Sequence, residues 1–262
     1  NGDVFLSSLY AAPEMDLRQF NLIASDGELY GHHQKFRDHF LRYLLGEGGE
    51  KHGVSWSLPG LWLLEHKVET LAQLNEPSSW SCMHGVERWR AECGCTPGAR
   101  WKAPFFHAMH QIADWLETVY EAHAAEIVAD PWAVRNEFIN IKHGQRKLEE
   151  VCAECGCSDL DAQEVAKMRL LLQAQYECQR MFTSCGWFFE EFHRIEPQNN
   201  IAYAAKAIWL TQKATGEQID PEIISELSKV RSEKTGLRAD TVLAQTLIRA
   251  ENEQNGSVQQ LE

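Results

Sequence analysis

A chain of 262 residues is long enough to bury a sizeable core, in one large domain or two smaller ones. Its formal net charge of −13 argues against nucleic acid or an anionic membrane surface as the main partner. No apolar run reaches transmembrane length and no signal peptide is read, so the eight cysteines point to thiols in a cytoplasmic protein, not to a disulfide framework.

Residues 1–19 show little periodicity. Phe20–Ser25 is an apolar run that stops at Asp26-Gly27, a strong turn signal, and it reads as a buried strand. A lone buried strand cannot satisfy its own backbone groups. Its partners are therefore expected upstream, and the chain, which opens on Asn1, reads as starting near the end of a larger α/β domain. Phe36, Phe40, Leu41 and Leu44 then share one helical stripe, with Gly46 as the stop. Glu47–Gly53 reads as a polar, Gly-rich loop. Pro59 opens a short helix to His66, and Val68–Leu74 reads as a short strand.

Ser79–Cys95 is dense in Trp, Cys, His and Arg and has no clean period. That is the composition of a folded loop with a function. From Pro104 the chain is helical, with Phe105, Met109, Ile112, Leu116, Val119 and Tyr120 on one face. Asp130 is an N-cap with Pro131 at the first helical position. A long helix is expected over Asp161–Phe182, broken by Ser184–Glu191. Another follows Pro197 with Ile201, Ala204, Ala205 and Ile208. Two more are expected at Pro221–Lys234 and Asp240–Ala250, before a frayed polar tail from Glu251.

Four ordered segments resemble one family. Asp26-Gly27-Glu28 with Tyr30-Gly31-His32-His33 resembles the fourth motif of glycoside hydrolase family 57-like proteins. Ser79–Cys95, Asp130-Pro131-Trp132-Ala133-x-Arg135 and Thr183–Phe189 with Ile195-Glu196 resemble, in that order, the helical extension that follows the family's catalytic barrel. The resemblance implies a mainly α chain. Residues 1–58 would be the last part of an incomplete (β/α)7-type barrel, 59–250 an all-helical domain of unknown function, and 251–262 a polar tail. It also implies a retaining hydrolase or glucanotransferase acting on α-glucan-like polysaccharide, with no cofactor. The partners implied are the carbohydrate and the upstream barrel of the same polypeptide, with neither nucleic acid nor membrane. Retaining chemistry uses two carboxyl groups about 5–5.5 Å apart. By position the acid/base is Asp26. No segment matches the family's nucleophile, so the chain by itself is expected to be inactive.

Read from chemistry alone, Asp26 is either an acid/base at a loop end or a simple turn residue. Glu28, His32 and His33 are candidates to orient groups or bind sugar hydroxyls. The segment holding Trp187 and Phe188 resembles the family's fifth motif, which implies that these aromatics line the substrate cleft. Trp80, His84 and Arg88 are candidate contacts of the same kind, and for each of the five buried core packing is the other reading. Ser79–Cys95 and Ser184–Phe189 are expected to converge and to face the Asp26 loop. Cys82, His84, Cys93 and Cys95 form a legal tetrahedral zinc set, but without the usual Cys-x-x-Cys spacing. Thiols packed as small hydrophobes, with no metal, are the expectation. Two rival functions stay open: a metal-dependent carbohydrate deacetylase using Asp26, His32 and His33 as ligands, and a non-catalytic helical interaction module.

Overall fold

In the computed structural model, which describes residues 1–9, 20–68, 70–157 and 159–259, with side chains to 252, the regular structure is helical. Among the described residues no sheet forms. Pairing is limited to two isolated bridges, Ser79 with Cys82 and Arg231 with Arg238. None of the helices is long and apolar enough to cross a membrane, among the described residues. The chain divides into two compact units, 1–74 and 75–262.

The first unit holds α1 (Gly2–Ser8), α2 (Arg37–Leu45), α3 (Glu47–Lys51) and α4 (Pro59–Glu65). A polar knot joins the first three. The Asp3 carboxylate accepts from Tyr43 Oη at 2.6 Å, from Lys51 Nζ at 3.1 Å and pairs with His52 Nε2 at 2.9 Å. These partners, Tyr43 foremost, hold its pKa far below the carboxylate range. The Gly-rich stretch expected as a loop is instead α3. A Cβ at Gly48 would collide with the Tyr43 ring, so the missing side chain is what lets α2 and α3 approach.

Both expected strands are corrected by the structure. Residues 20–26 run without strand or helix geometry, with Leu22 and Ile23 exposed instead of buried. Val68–Leu74 also lacks strand structure among its described residues, and Leu71 is 92% exposed. An apolar run becomes a strand only when a neighbouring strand takes its backbone bonds and a layer covers its face. The described residues provide neither.

The second unit holds α5 (Glu87–Arg90), α6 (Lys102–Ala124), α7 (Pro131–Lys142), α8 (Leu148–Glu154), α9 (Ala162–Arg180), α10 (Cys185–Phe188), α11 (Ile195–Thr215), α12 (Pro221–Glu226) and α13 (Ala239–Gln259). The α6 face behaves as its spacing demands: Phe105, Met109, Ile112, Leu116, Val119 and Tyr120 are all buried. The amino-terminal half of α6 packs with α11, α12 and α13 in one core around Ile201, Ala204, Ala205, Ile208, Leu227 and Leu243. Alanines on α11 let α9 and α13 lie close against it. The carboxyl-terminal half of α6 joins α7, α8 and α9 in a second core around Tyr120, Val134, Leu148, Cys152, Met168 and Leu172. Two buried polar side chains donate to main-chain carbonyls: Tyr120 Oη to Pro131 O, and Gln175 Nε2 to Leu116 O at 3.0 Å. The tail expected to fray after Ala250 continues as helix to Gln259.

Candidate functional site

In the first unit, Asp26 precedes a single 3-10 turn, Gly27–Leu29. Leu29 N donates to Asp26 O, and the amides of His32 and His33 both donate to Glu28 O, at 3.2 and 2.8 Å. Asp-Gly followed by a second glycine thus folds into a compact polar turn, which displays Asp26, Glu28, His32 and His33 to solvent. The two imidazoles meet edge to face at 4.8 Å.

In the second unit, Ser79–Cys95 and Ser184–Phe189 come together. Arg88 lies over the Phe188 ring, with Cζ 4.0 Å from the centroid, and Trp89 packs on Phe188 at 6.1 Å. Lys102, fully buried at the start of α6, donates through Nζ to Arg88 O at 2.6 Å and to Phe188 O at 3.3 Å. Burial first, then the nearby Arg88 guanidinium, push its pKa down to about 8. Trp187 is only 4% exposed. Its ring sits against Phe105 at 4.5 Å and stacks on Phe182 at 5.9 Å, so its faces are taken up by protein contacts. Phe188 is likewise covered by Arg88. Trp80 differs from both, with its side chain in solvent at 82% exposure.

The same loop gathers sulfur and imidazole. Cys82 Sγ lies 3.9 Å from His84 Nδ1 and 3.9 Å from Cys93 Sγ, and Cys95 Sγ lies 3.5 Å from His84 Nδ1. All four ligand atoms fall within 4.8 Å of one another. Among the described residues, this is the one group of three or more Cys, His, Asp or Glu side chains with ligand atoms in such reach. Asp26, His32 and His33 do not make one. Burial opposes ionisation of Cys82, yet backbone N–H groups of Arg88 and His84 and side-chain bonds from His84 and Cys93 outweigh it and pull the thiol down to about 6. Cys152 and Cys178 behave differently. Burial pushes them up to about 11 and about 12, as expected of protonated thiols packed in a core.

Beside this junction lies a cleft of about 350 Å³ lined by Arg100, Trp101, Glu190, Phe192, Arg231 and Lys234. Its residues come from loops far apart in sequence, and no local pattern announced it.

A family model described as a domain of unknown function (DUF3536) matches residues 99–258, from the start of α6 through nearly all of α13. No curated protein and no solved structure matches the chain. The chain, matched over more than half its length, belongs to the DUF3536 family.

Proposed function

We propose that the chain works as part of a carbohydrate-active enzyme: a retaining hydrolase or glucanotransferase acting on α-glucan-like polysaccharide. On this reading residues 1–58 are the terminal part of a catalytic α/β barrel, Asp26 is its acid/base, and the helical residues 59–250 are an accessory domain. The ordered motifs support it, and one structural observation carries it. In the first unit Leu22, Leu61, Leu63, Leu64, Leu71 and Leu74 are each more than half exposed. Soluble proteins rarely leave so many large apolar side chains uncovered in so small a unit. A barrel belonging to the same polypeptide would cover them and supply the strand partners that Phe20–Ser25 needs.

On the same reading Trp80 offers an open indole face for a sugar ring, while Trp187 contributes packing. The test is hydrolysis of an α-glucan by a polypeptide that joins this chain to the proposed barrel, and by its Asp26→Asn variant. A loss of about 10²-fold or more is expected, the usual scale of general acid/base help. A variant that keeps the parent rate on natural and activated substrates removes Asp26 from the mechanism.

A further inference from the structure

We propose that Cys82, His84, Cys93 and Cys95 bind one divalent metal ion, zinc first, as a closed structural site that fixes the loop at the amino-terminal edge of the helical unit. A tetrahedral zinc with bonds of about 2.3 Å to sulfur and 2.0–2.1 Å to nitrogen holds its sulfurs about 3.8 Å apart and each sulfur about 3.6 Å from the nitrogen. The observed separations are 3.9 Å between the Cys82 and Cys93 sulfurs, and 3.9 and 3.5 Å from His84 Nδ1 to Cys82 and Cys95. These three separations match the edges of such a tetrahedron, and all four ligand atoms lie within 4.8 Å of one another, close enough to close on one ion. A Cys₃His set fills all four positions, so the site leaves no place for a substrate and is structural, not catalytic.

The surroundings are built to the same end. A Cβ at Gly94 would lie 3.2 Å from His84 Cε1 and 3.5 Å from Nε2, so the glycine between Cys93 and Cys95 leaves room for the imidazole. With Nδ1 turned to the sulfurs, the ring proton belongs on Nε2. Arg88 donates to Ser81 O at 3.0 Å and to Cys95 O at 3.4 Å, tying together the two loop segments that carry the ligands. Thr96, fully buried, brings Oγ1 to 3.6 Å from Cys93 Sγ. On binding, each thiol still protonated releases its proton to solvent and the neutral imidazole donates a lone pair. Three thiolates on Zn²⁺ leave a net charge of −1, next to the Arg88 cation. His84 is exposed and Cys93 and Cys95 are half-buried, so an ion can reach the site from solvent.

The sequence offers these four residues as a ligand set, but their spacing argues against it. The ligands follow Cys-x-His and Cys-x-Cys steps on an irregular loop, where a zinc knuckle would show Cys-x-x-Cys. The inference stands apart from the carbohydrate reading, since it concerns a loop outside residues 99–258 and needs no enzyme activity.

Metal analysis of the chain purified without added metal, and again after zinc loading and desalting, tests it. One zinc per chain is expected, together with a tetrahedral cobalt–thiolate spectrum on cobalt substitution. Cys93→Ser should lose stoichiometric zinc, while Cys185→Ser, altering an exposed cysteine outside the cluster, should keep it. His84→Cys, which preserves four ligands, should retain one zinc per chain even if Cys93→Ser does not fold. Well under one zinc in the zinc-loaded parent chain, with no cobalt–thiolate spectrum, would overturn the assignment. So would stoichiometric zinc in folded Cys93→Ser.

Discussion

Lys102 shows how one buried charge ties a loop to a helix. Its ammonium is removed from water, and its partners are two main-chain carbonyls, one from each converging motif. Its pKa is about 8 in the folded chain against 10.5 for a free lysine. Between those values the unfolded chain holds more protons than the folded one, so folding stability rises with pH across that window. Below about pH 8 both states are protonated and the full penalty is present. The gain on going to pH 10.5 is roughly 3 kcal/mol at most, taking 1.36 kcal/mol per pKa unit. Comparing urea unfolding of the parent and Lys102→Met from pH 7 to 10 isolates this residue, because other titrating groups are common to both. The parent should gain on the variant as pH rises. A difference that stays flat with pH would show that Lys102 keeps its proton throughout.

Single residues were unevenly legible in the sequence. Asp130 as a cap and Pro131 behind it follow from local chemistry, and Asp130 Oδ1 does accept from Ala133 N at 3.0 Å. Trp187 and Trp80 share a residue type and an aromatic-rich setting, yet one is sealed in the core and the other stands in solvent. Exposure is decided by where α6 and the segment around Phe182 fall in space, which neither motif states. Cys82, His84, Cys93 and Cys95, the proposed zinc ligands, were visible as residue types. Their convergence depends on the turn around Gly85 and on Arg88 bridging Ser81 and Cys95, features that no spacing rule encodes.

At the scale of elements, sequence periodicity served best where helices are long and capped. α9 starts at Asp161, whose carboxylate accepts from Gln163 N at 2.7 Å and Glu164 N at 2.8 Å. The Glu164 side chain returns a bond to Asp161 N at 2.9 Å. This reciprocal pair satisfies orphan amides and places negative charge at the positive helix end. Asp161→Ala should therefore cost about 1 kcal/mol in chemical denaturation without changing the helical circular dichroism at 25 °C. No measurable loss would mean the box is formed but idle. Short elements were missed for the opposite reason. α8 and α3 are too brief to show a period, and tertiary contacts hold them. α8 rests on Leu148, Val151 and Cys152 in the second core, and α3 sits under Tyr43. The two apolar runs read as strands fail likewise, since strand formation depends on partners that a local pattern does not supply.

At the scale of the whole molecule, the burial is lopsided. Both hydrophobic cores lie within residues 99–243. In residues 1–74 the buried large apolar side chains, among those described, are Leu6 and Leu44, while a row of leucines faces solvent. Burial of apolar surface is the main favourable term in folding, and a unit of this size with so small a core is marginal by itself. The helical unit should therefore carry nearly all the stability. Expressed alone, residues 75–262 should unfold in one cooperative transition, within about 2–4 °C of the full chain, the shift that 1 kcal/mol produces in a domain of this size. Residues 1–74 alone should show no cooperative thermal transition and should bind a hydrophobic dye through the exposed leucines. A fragment 75–262 that melts far below the full chain would show that the first unit contributes to the helical core. A cooperative transition in 1–74 would show that its polar knot at Asp3, Tyr43 and His52 suffices to fold it, and the exposed leucines would then need no covering body.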